Sequence, residues 1–290
     1  MCFKNSETKG MSLKFPEIGQ AIQYLSKDPK HLFNQAERQV QEGDYQSALD
    51  SLDQALGLNP RNPEFWYLKG KILAYHLKEA HHAPVAFDKA LKFAAYNNKF
   101  RKKIFNNRGN VLKDLGRNEE AVTDYHKALR IDSSYWQARK GWGALIFSRF
   151  YDYSTALAKL DEGFPLSQAK LKDASPKVRN YHQQGCGQLH RTKGKIHYKH
   201  GLQQADPYPS WEKAKTSYEQ ALRFLTAQVF PKERIEIIEE LIQVFLALGQ
   251  IKEAEHLLRE GSALLDRLLM QTQNFQHKRM LTLEFTSRDA

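Results

Sequence analysis

A small residue, a large one four positions on, and another small one three beyond that form a trio that recurs six times along this chain. The trios are Ala48/Leu52/Ala55, Ala83/Phe87/Ala90, Ala121/Tyr125/Ala128, Ala156/Leu160/Gly163, Ala214/Tyr218/Ala221 and Ala254/Leu258/Gly261. Steps of four and three place each trio on one face of an α-helix. The leading alanines are 35, 38, 35, 58 and 40 residues apart. A period in that range marks a supersecondary unit that buries its apolar face only by stacking on copies of itself. A further small residue stands 12 or 13 residues ahead of the first four trios, at Ala36, Gly70, Gly109 and Gly143. Gly194 is its counterpart in the fifth. Ile242 replaces it in the sixth, which marks that repeat as terminal.

The clearest copy is Lys102–Tyr135, KKIFNNRGNVLKDLGRNEEAVTDYHKALRIDSSY. Phe105, Gly109 and Leu112 share one face of a first helix, Gly116 ends it, and Ala121, Tyr125 and Ala128 share a face of a second. Small residues let the two helices approach closely, and Phe105, Leu112 and Tyr125 fill the space between layers. On these residues the chain resembles the tetratricopeptide-repeat (TPR) family at all six places, covering nearly everything after residue 27. The resemblance implies an all-α fold: a right-handed superhelical solenoid of about six helix–turn–helix repeats, with an interrupted fifth repeat and a long C-terminal helix.

Residues 1–16 are polar and form an expected flexible tail. Glu17 to Ser26 carries Ile18, Ala21, Ile22 and Leu25 on one face and is expected to cap the first repeat, so that residues 17–165 hold the cap and four regular repeats. The 58-residue interval holds two insertions, an expected linker at 166–177 and the segment QADPYPSW at Gln204–Trp211. Pro207 and Pro209 forbid a continuous helix there. Residues 178–290 then comprise two irregular repeats and the C-terminal helix. All ten prolines fall at ends, turns or first turns of these helices, with Pro84 the tightest fit. The final helix is expected to end near Gln273, with RMLTLEFTSRDA beginning another element.

No apolar run approaches the roughly 20 residues that cross a bilayer, and no continuous apolar segment follows the N-terminal lysines as in a secretory signal. Cys2 and Cys186 give no disulfide framework. A cytoplasmic protein is expected, with no membrane partner. The net charge of +11, from 44 basic and 33 acidic residues, favours acidic partners. Eight of the basic residues lie between Leu166 and Ala205, against one acid, Asp173.

Enzyme chemistry finds no support in the residues. There is no phosphate-binding glycine loop and no zinc-spaced cysteine pair. His182, Cys186 and His190 recur at steps of four, with His197 and His200 beyond, but three ligands strung along one helix cannot converge on one ion. Cys186 beside either histidine lacks an orienting third group. The expectation is a chain that is not an enzyme and uses no cofactor or metal.

The TPR resemblance implies instead a ligand groove lined by the first helices. Its ligand-facing positions correspond to Phe33, Glu37 and Val40 in the first repeat, Tyr67, Lys71 and Ala74 in the second, Lys103, Asn106, Asn110 and Lys113 in the third, and Lys140, Ala144 and Phe147 in the fourth. An amide side chain both donates to and accepts from an extended peptide backbone, and the lysines suit an acidic segment or a free carboxylate. The resemblance to carboxylate-clamp TPRs is loose, because their Lys-Asn, Asn and Lys-Arg order is not met. A narrower resemblance covers Gly201 to Gly261, whose Pro-Tyr-Pro-x-Trp insertion, Ala221-Leu222, Phe230-Pro231 and Leu246-x-Leu248-Gly249 are similar to the end of the array in bacterial TPR–CHAT proteins. In that family a caspase-like domain with a His/Cys dyad follows, and no matching dyad is present in this sequence. Three functions follow in order of preference: a protein–peptide interaction scaffold, a regulatory TPR part of a CHAT-type protease system, and a nucleic-acid binder using the basic stretch around Arg179 to Lys199. Only Tyr181 and Tyr198 could stack bases in that stretch, so nucleic acid is the least favoured.

Overall fold

A computed structural model describes residues 28–77, 79–171 and 174–286, with side chains through 271. The expected tail and the Glu17–Ser26 cap lie outside the described residues. The rest is helical: α1 (Pro29–Glu42), α2 (Tyr45–Leu58), α3 (Pro63–Tyr75), α4 (Ala83–Phe93), α5 (Asn98–Asp114), α6 (Asn118–Ile131), α7 (Trp136–Phe150), α8 (Tyr153–Asp161), α9 (Gly163–Ala169), α10 (Pro176–Gly201), α11 (Tyr208–Phe224), α12 (Pro231–Ala247) and α13 (Ile251–Thr286). They fall into two compact units, one ending at Gly116 and the other starting at Arg117.

Local chemistry sets the helix limits. Asp28, Asp44, Asn62, Asn97 and Asp152 each accept a hydrogen bond from a backbone N–H of the turn they open, which satisfies a donor that has no partner inside the helix. Proline occupies the first turn of α1, α3, α4, α10, α11 and α12, where its missing N–H costs nothing. Pro84 is therefore comfortable. Gly116, at φ 78°, makes the left-handed turn after α5, and Tyr151, at φ 55°, makes the corresponding one after α7.

In the first unit α1 packs on α2, α2 on α3, α3 on α4 and α4 on α5. The core of this unit centres on Leu52, Phe65, Ile72, Phe87 and Ile104. Small against large is the contact rule within a repeat: a Cβ added at Gly70 would lie 2.9 Å from the Phe87 ring. The second unit repeats it, since a Cβ at Gly194 would lie 2.8 Å from Tyr218. Here α10 packs on α11, α11 on α12 and α12 on α13, while α7, α8 and α9 all touch α10.

Three expectations change. Leu166–Ala169 is not linker but part of α9, whose Ser167 is buried beside α10. In the sixth repeat Leu257, not Leu258, takes the buried large position, and Leu258 is 59% exposed. The C-terminal helix continues past Gln273 to Thr286, so no separate element begins at Arg279.

Candidate functional site

The predicted ligand-facing residues of the second and third repeats lie on α3 and α5, both in the first unit. Tyr67 is half-buried, its ring in contact with Phe87 and Phe100. Its hydroxyl accepts a hydrogen bond from Asn107 Nδ2 of α5 at 2.5 Å. Burial pushes the Tyr67 phenol up to about 12, so it stays protonated and can itself donate. Two turns along α3, the Tyr75 hydroxyl bonds the Asn110 amide, and burial raises this phenol too. Lys71 lies between them on α3, its Nζ 6.0 Å from the Tyr67 ring centre. Lys103 projects into solvent, and Lys113 pairs with Asp114 at 3.1 Å. The result is two phenol–amide pairs linking α3 to α5, with Lys71 and Lys103 on the same two helices.

Asn106 is only 6% exposed, with its Oδ1 buried and unpartnered, so it does not present an amide to solvent in this structure. The neighbouring amide, Asn107, makes the interhelix bond instead. The Asn106–Asn107 dipeptide offers two candidates, and counting from Gly109 selects the buried one. Tyr75 was missed as well. Its signal was available: eight residues beyond Tyr67, it lies near the same face of α3. In the first repeat, Phe33 stacks on Phe65 with ring centres 5.0 Å apart and is partly buried.

The fourth-repeat residues belong to the second unit. Lys140 is half-exposed, its Nζ 5.6 Å from the Trp136 ring centre. Phe147, at 7% exposure, packs with Trp136, Ile146, Leu160 and Leu189. It is a core residue here, because α10 covers the side of α7 that was expected to face ligand.

The middle of the basic run on α10, Arg191 to Lys195, is not a free patch. Arg191 is clasped by Glu236 and by Glu240, with Nε 3.0 Å and 3.1 Å from the two Glu240 oxygens. Lys195 Nζ is 2.9 Å from the same carboxylate, and the Tyr218 hydroxyl bonds it as well. Gln184 donates to Glu233 at 2.9 Å, and Lys193 pairs with Asp161 at 2.6 Å. These bonds tie α10 to α8 and α12, and α11 to α12. The cysteine and histidines of the same helix are packing groups. Cys186 is fully buried, and burial pushes its thiol up to about 11, which keeps it unreactive at neutral pH. His190 lies between the Phe164 and Phe224 rings, and His197 Nδ1 is 2.6 Å from the Tyr153 hydroxyl.

Two family profiles, both described as tetratricopeptide repeat, match residues 33–98 and 103–135. Residues 33–98 and 103–135 are thus tetratricopeptide repeats. Among solved structures, the TPR chain resembles PilW, a widely conserved type IV pilus biogenesis factor, with TM-score 0.57 and 19% identity over 81% of this chain and 92% of PilW. Yeast Tom70 gives TM-score 0.56 and 18% identity over 86% of this chain and 45% of Tom70. Pseudomonas aeruginosa pilF gives TM-score 0.52 and 16% identity over 86% and 97%. No curated protein matches the sequence. The profile matches and the fold make this an all-α TPR solenoid and support a protein–protein interaction scaffold. Among the described residues, no helix is long and apolar enough to cross a membrane.

Proposed function

We propose that this protein holds an extended, acidic protein segment against the face that α3 and α5 share, and performs no chemistry on it. The observation that supports this is the pair of phenol–amide links, Tyr67–Asn107 and Tyr75–Asn110, bordered by Lys71 and Lys103. An extended backbone presents alternating N–H and C=O groups. Side chains already fixed across two helices can meet them with little further loss of rotamer freedom. Among the described residues Lys71 and Lys103 have no carboxylate partner, and they would attract acidic side chains or a chain-terminal carboxylate. Lys113, also on α5, adds to this charge, and such a segment would be met in the cytoplasm. Asn106 enters as support for this face, not as a direct contact.

A peptide ligand accounts for the charge better than nucleic acid does, because Arg191, Lys193 and Lys195 already have carboxylate partners. The Gly201–Gly261 resemblance offers one client by name, a CHAT-type caspase-like protease on another chain, with this protein as its regulatory TPR part.

The test is a selection from a random-peptide phage library, followed by fluorescence anisotropy with the selected peptide. Acidic sequences should be enriched. Lys71→Glu with Lys103→Glu should weaken binding about tenfold or more, with unchanged far-UV circular dichroism, and wild-type affinity should fall as salt rises. Selected peptides without acidic residues, or an affinity that the double reversal leaves intact, would refute the assignment.

A further inference from the structure

Helix α13 carries two apolar faces, and its own unit covers one of them. Ala254, Leu257 and Leu264 are buried, and α12 is the helix that α13 packs against. The other face bears Leu258 at 59%, Leu265 at 46% and Leu269 at 52% exposure, with Ile251 at 53% leading the row. At about 100° per residue, Ile251, Glu255, Leu258, Ser262, Leu265 and Leu269 fall within about 40° of one line along the helix. Their alternating steps of four and three are those of a coiled-coil seam. The buried set lies roughly 100° around the helix. The seam is therefore separate from the contact with α12.

Charge beside the seam selects the partner. On the flank away from α12, one position after Ile251, Leu258 and Leu265, stand Lys252, Arg259 and Asp266. Two copies of α13 run antiparallel place Leu258 against Leu269 of the second copy and Ser262 against Leu265, and the same two layers again by symmetry. In that register Arg259 of each copy lies between the same two layers as Asp266 of the other. Both side chains are exposed, and among the described residues the Arg259 guanidinium bonds only the Glu255 carbonyl of its own turn. A parallel pair would instead turn Arg259 and Asp266 towards Ala254 and Gly261 of the second copy, without this match. The small Ser262 opposite Leu265 lets the central layers close.

We infer that α13 is a self-association element, pairing antiparallel with α13 of a second copy through Leu258, Leu265 and Leu269 and matched by two reciprocal Arg259–Asp266 ion pairs. The interface is isologous, so it closes at two copies. The paired layers, Leu258 to Leu269, span about 17 Å, which limits the pair to a reversible dimer.

Sedimentation equilibrium on the full chain, from about 1 to about 100 µM, reads the association directly. Wild type should move from monomer to dimer across that range. Leu258→Glu should hold it monomeric, with circular dichroism confirming that the exposed change leaves the helices intact. Arg259→Asp alone and Asp266→Arg alone should each weaken the dimer about tenfold, since each brings like charges together. An equimolar mixture of these two variants should regain it as a heterodimer, because each then presents two residues of one sign to two of the other. Wild type that stays monomeric, or a dimer indifferent to Leu258→Glu, overturns the seam. A mixture that fails to regain association overturns the antiparallel register.

Discussion

Helices α5 and α10 are both first helices of their repeats, and both are basic, yet their neighbours give the charge opposite uses. Helix α5 has six basic residues and one acid, and α10 has six basic residues and none. Opposite α10, helix α12 offers Glu233, Glu236 and Glu240 in consecutive turns, and Arg191, Lys195 and Gln184 are spent on them. Helix α3 has one acid, Glu64, in its first turn, and meets α5 with tyrosines. Lys71 and Lys103 meet no such row of acids on α3. A run of positive charge is thus left exposed or used as an internal fastening according to the helix beside it.

Reversing one charge on each helix separates the two uses most sharply. Arg191 is largely buried, with a side chain 13% exposed. Arg191→Glu would place a third carboxylate beside Glu236 and Glu240, and should cost about 3–5 kcal/mol. Urea unfolding should show the loss, confined to the transition of the second unit if the two units melt separately. Lys103→Glu, in solvent, should change stability by less than about 0.5 kcal/mol. Equal losses from both would mean that α5 is fastened as α10 is.

The histidines of α10 extend the contrast to pH. Burial, assisted by Lys193, holds His190 down at about 4, and burial with Lys193 and Lys213 does the same for His197, while Asp161 opposes both. The unfolded chain takes up these protons near 6.5, well before the folded one does. Stability from the neutral rings is therefore complete above about 6.5 and drains as pH falls towards 4, by about 1–3 kcal/mol for each ring. Urea midpoints at pH 7.5, 6.5 and 5.5 should decline for wild type. His197→Gln, which retains an acceptor for Tyr153, should flatten the slope.

The architecture was legible because its signal is periodic. Each alanine of the six trios is buried, and Gly70 and Gly194 receive Phe87 and Tyr218 as their spacing implied. Repeat position carried less about the ligand face. It assigned Asn106 and Phe147 to solvent, but a position names a direction relative to an ideal stack, and local packing decides whether that direction is open. Helix α10 illustrates the limit. At 26 residues it outgrows a normal repeat, covers α7, α8 and α9, and takes Phe147 into the core. Its pairing with Glu236 and Glu240 spans 45 and 49 residues of sequence, beyond any local pattern.

The turns that follow α5 and α7 provide the smallest effect and the finest contrast. Both chains reverse through a left-handed residue, Gly116 at φ 78° and Tyr151 at φ 55°. Glycine adopts that conformation freely, whereas a Cβ costs about 1–2 kcal/mol there. Tyr151 is 75% exposed, so little packing offsets the strain. Tyr151→Gly should raise stability by about 0.5–1 kcal/mol, the strain relieved exceeding the entropy glycine adds to the unfolded chain. Gly116→Ala should lower it by about 1 kcal/mol. Thermal unfolding of the two variants checks the pair of signs. A Tyr151→Gly variant no more stable than wild type would mean that the exposed ring contributes as much as its backbone conformation costs, and would make Tyr151 a contact worth locating.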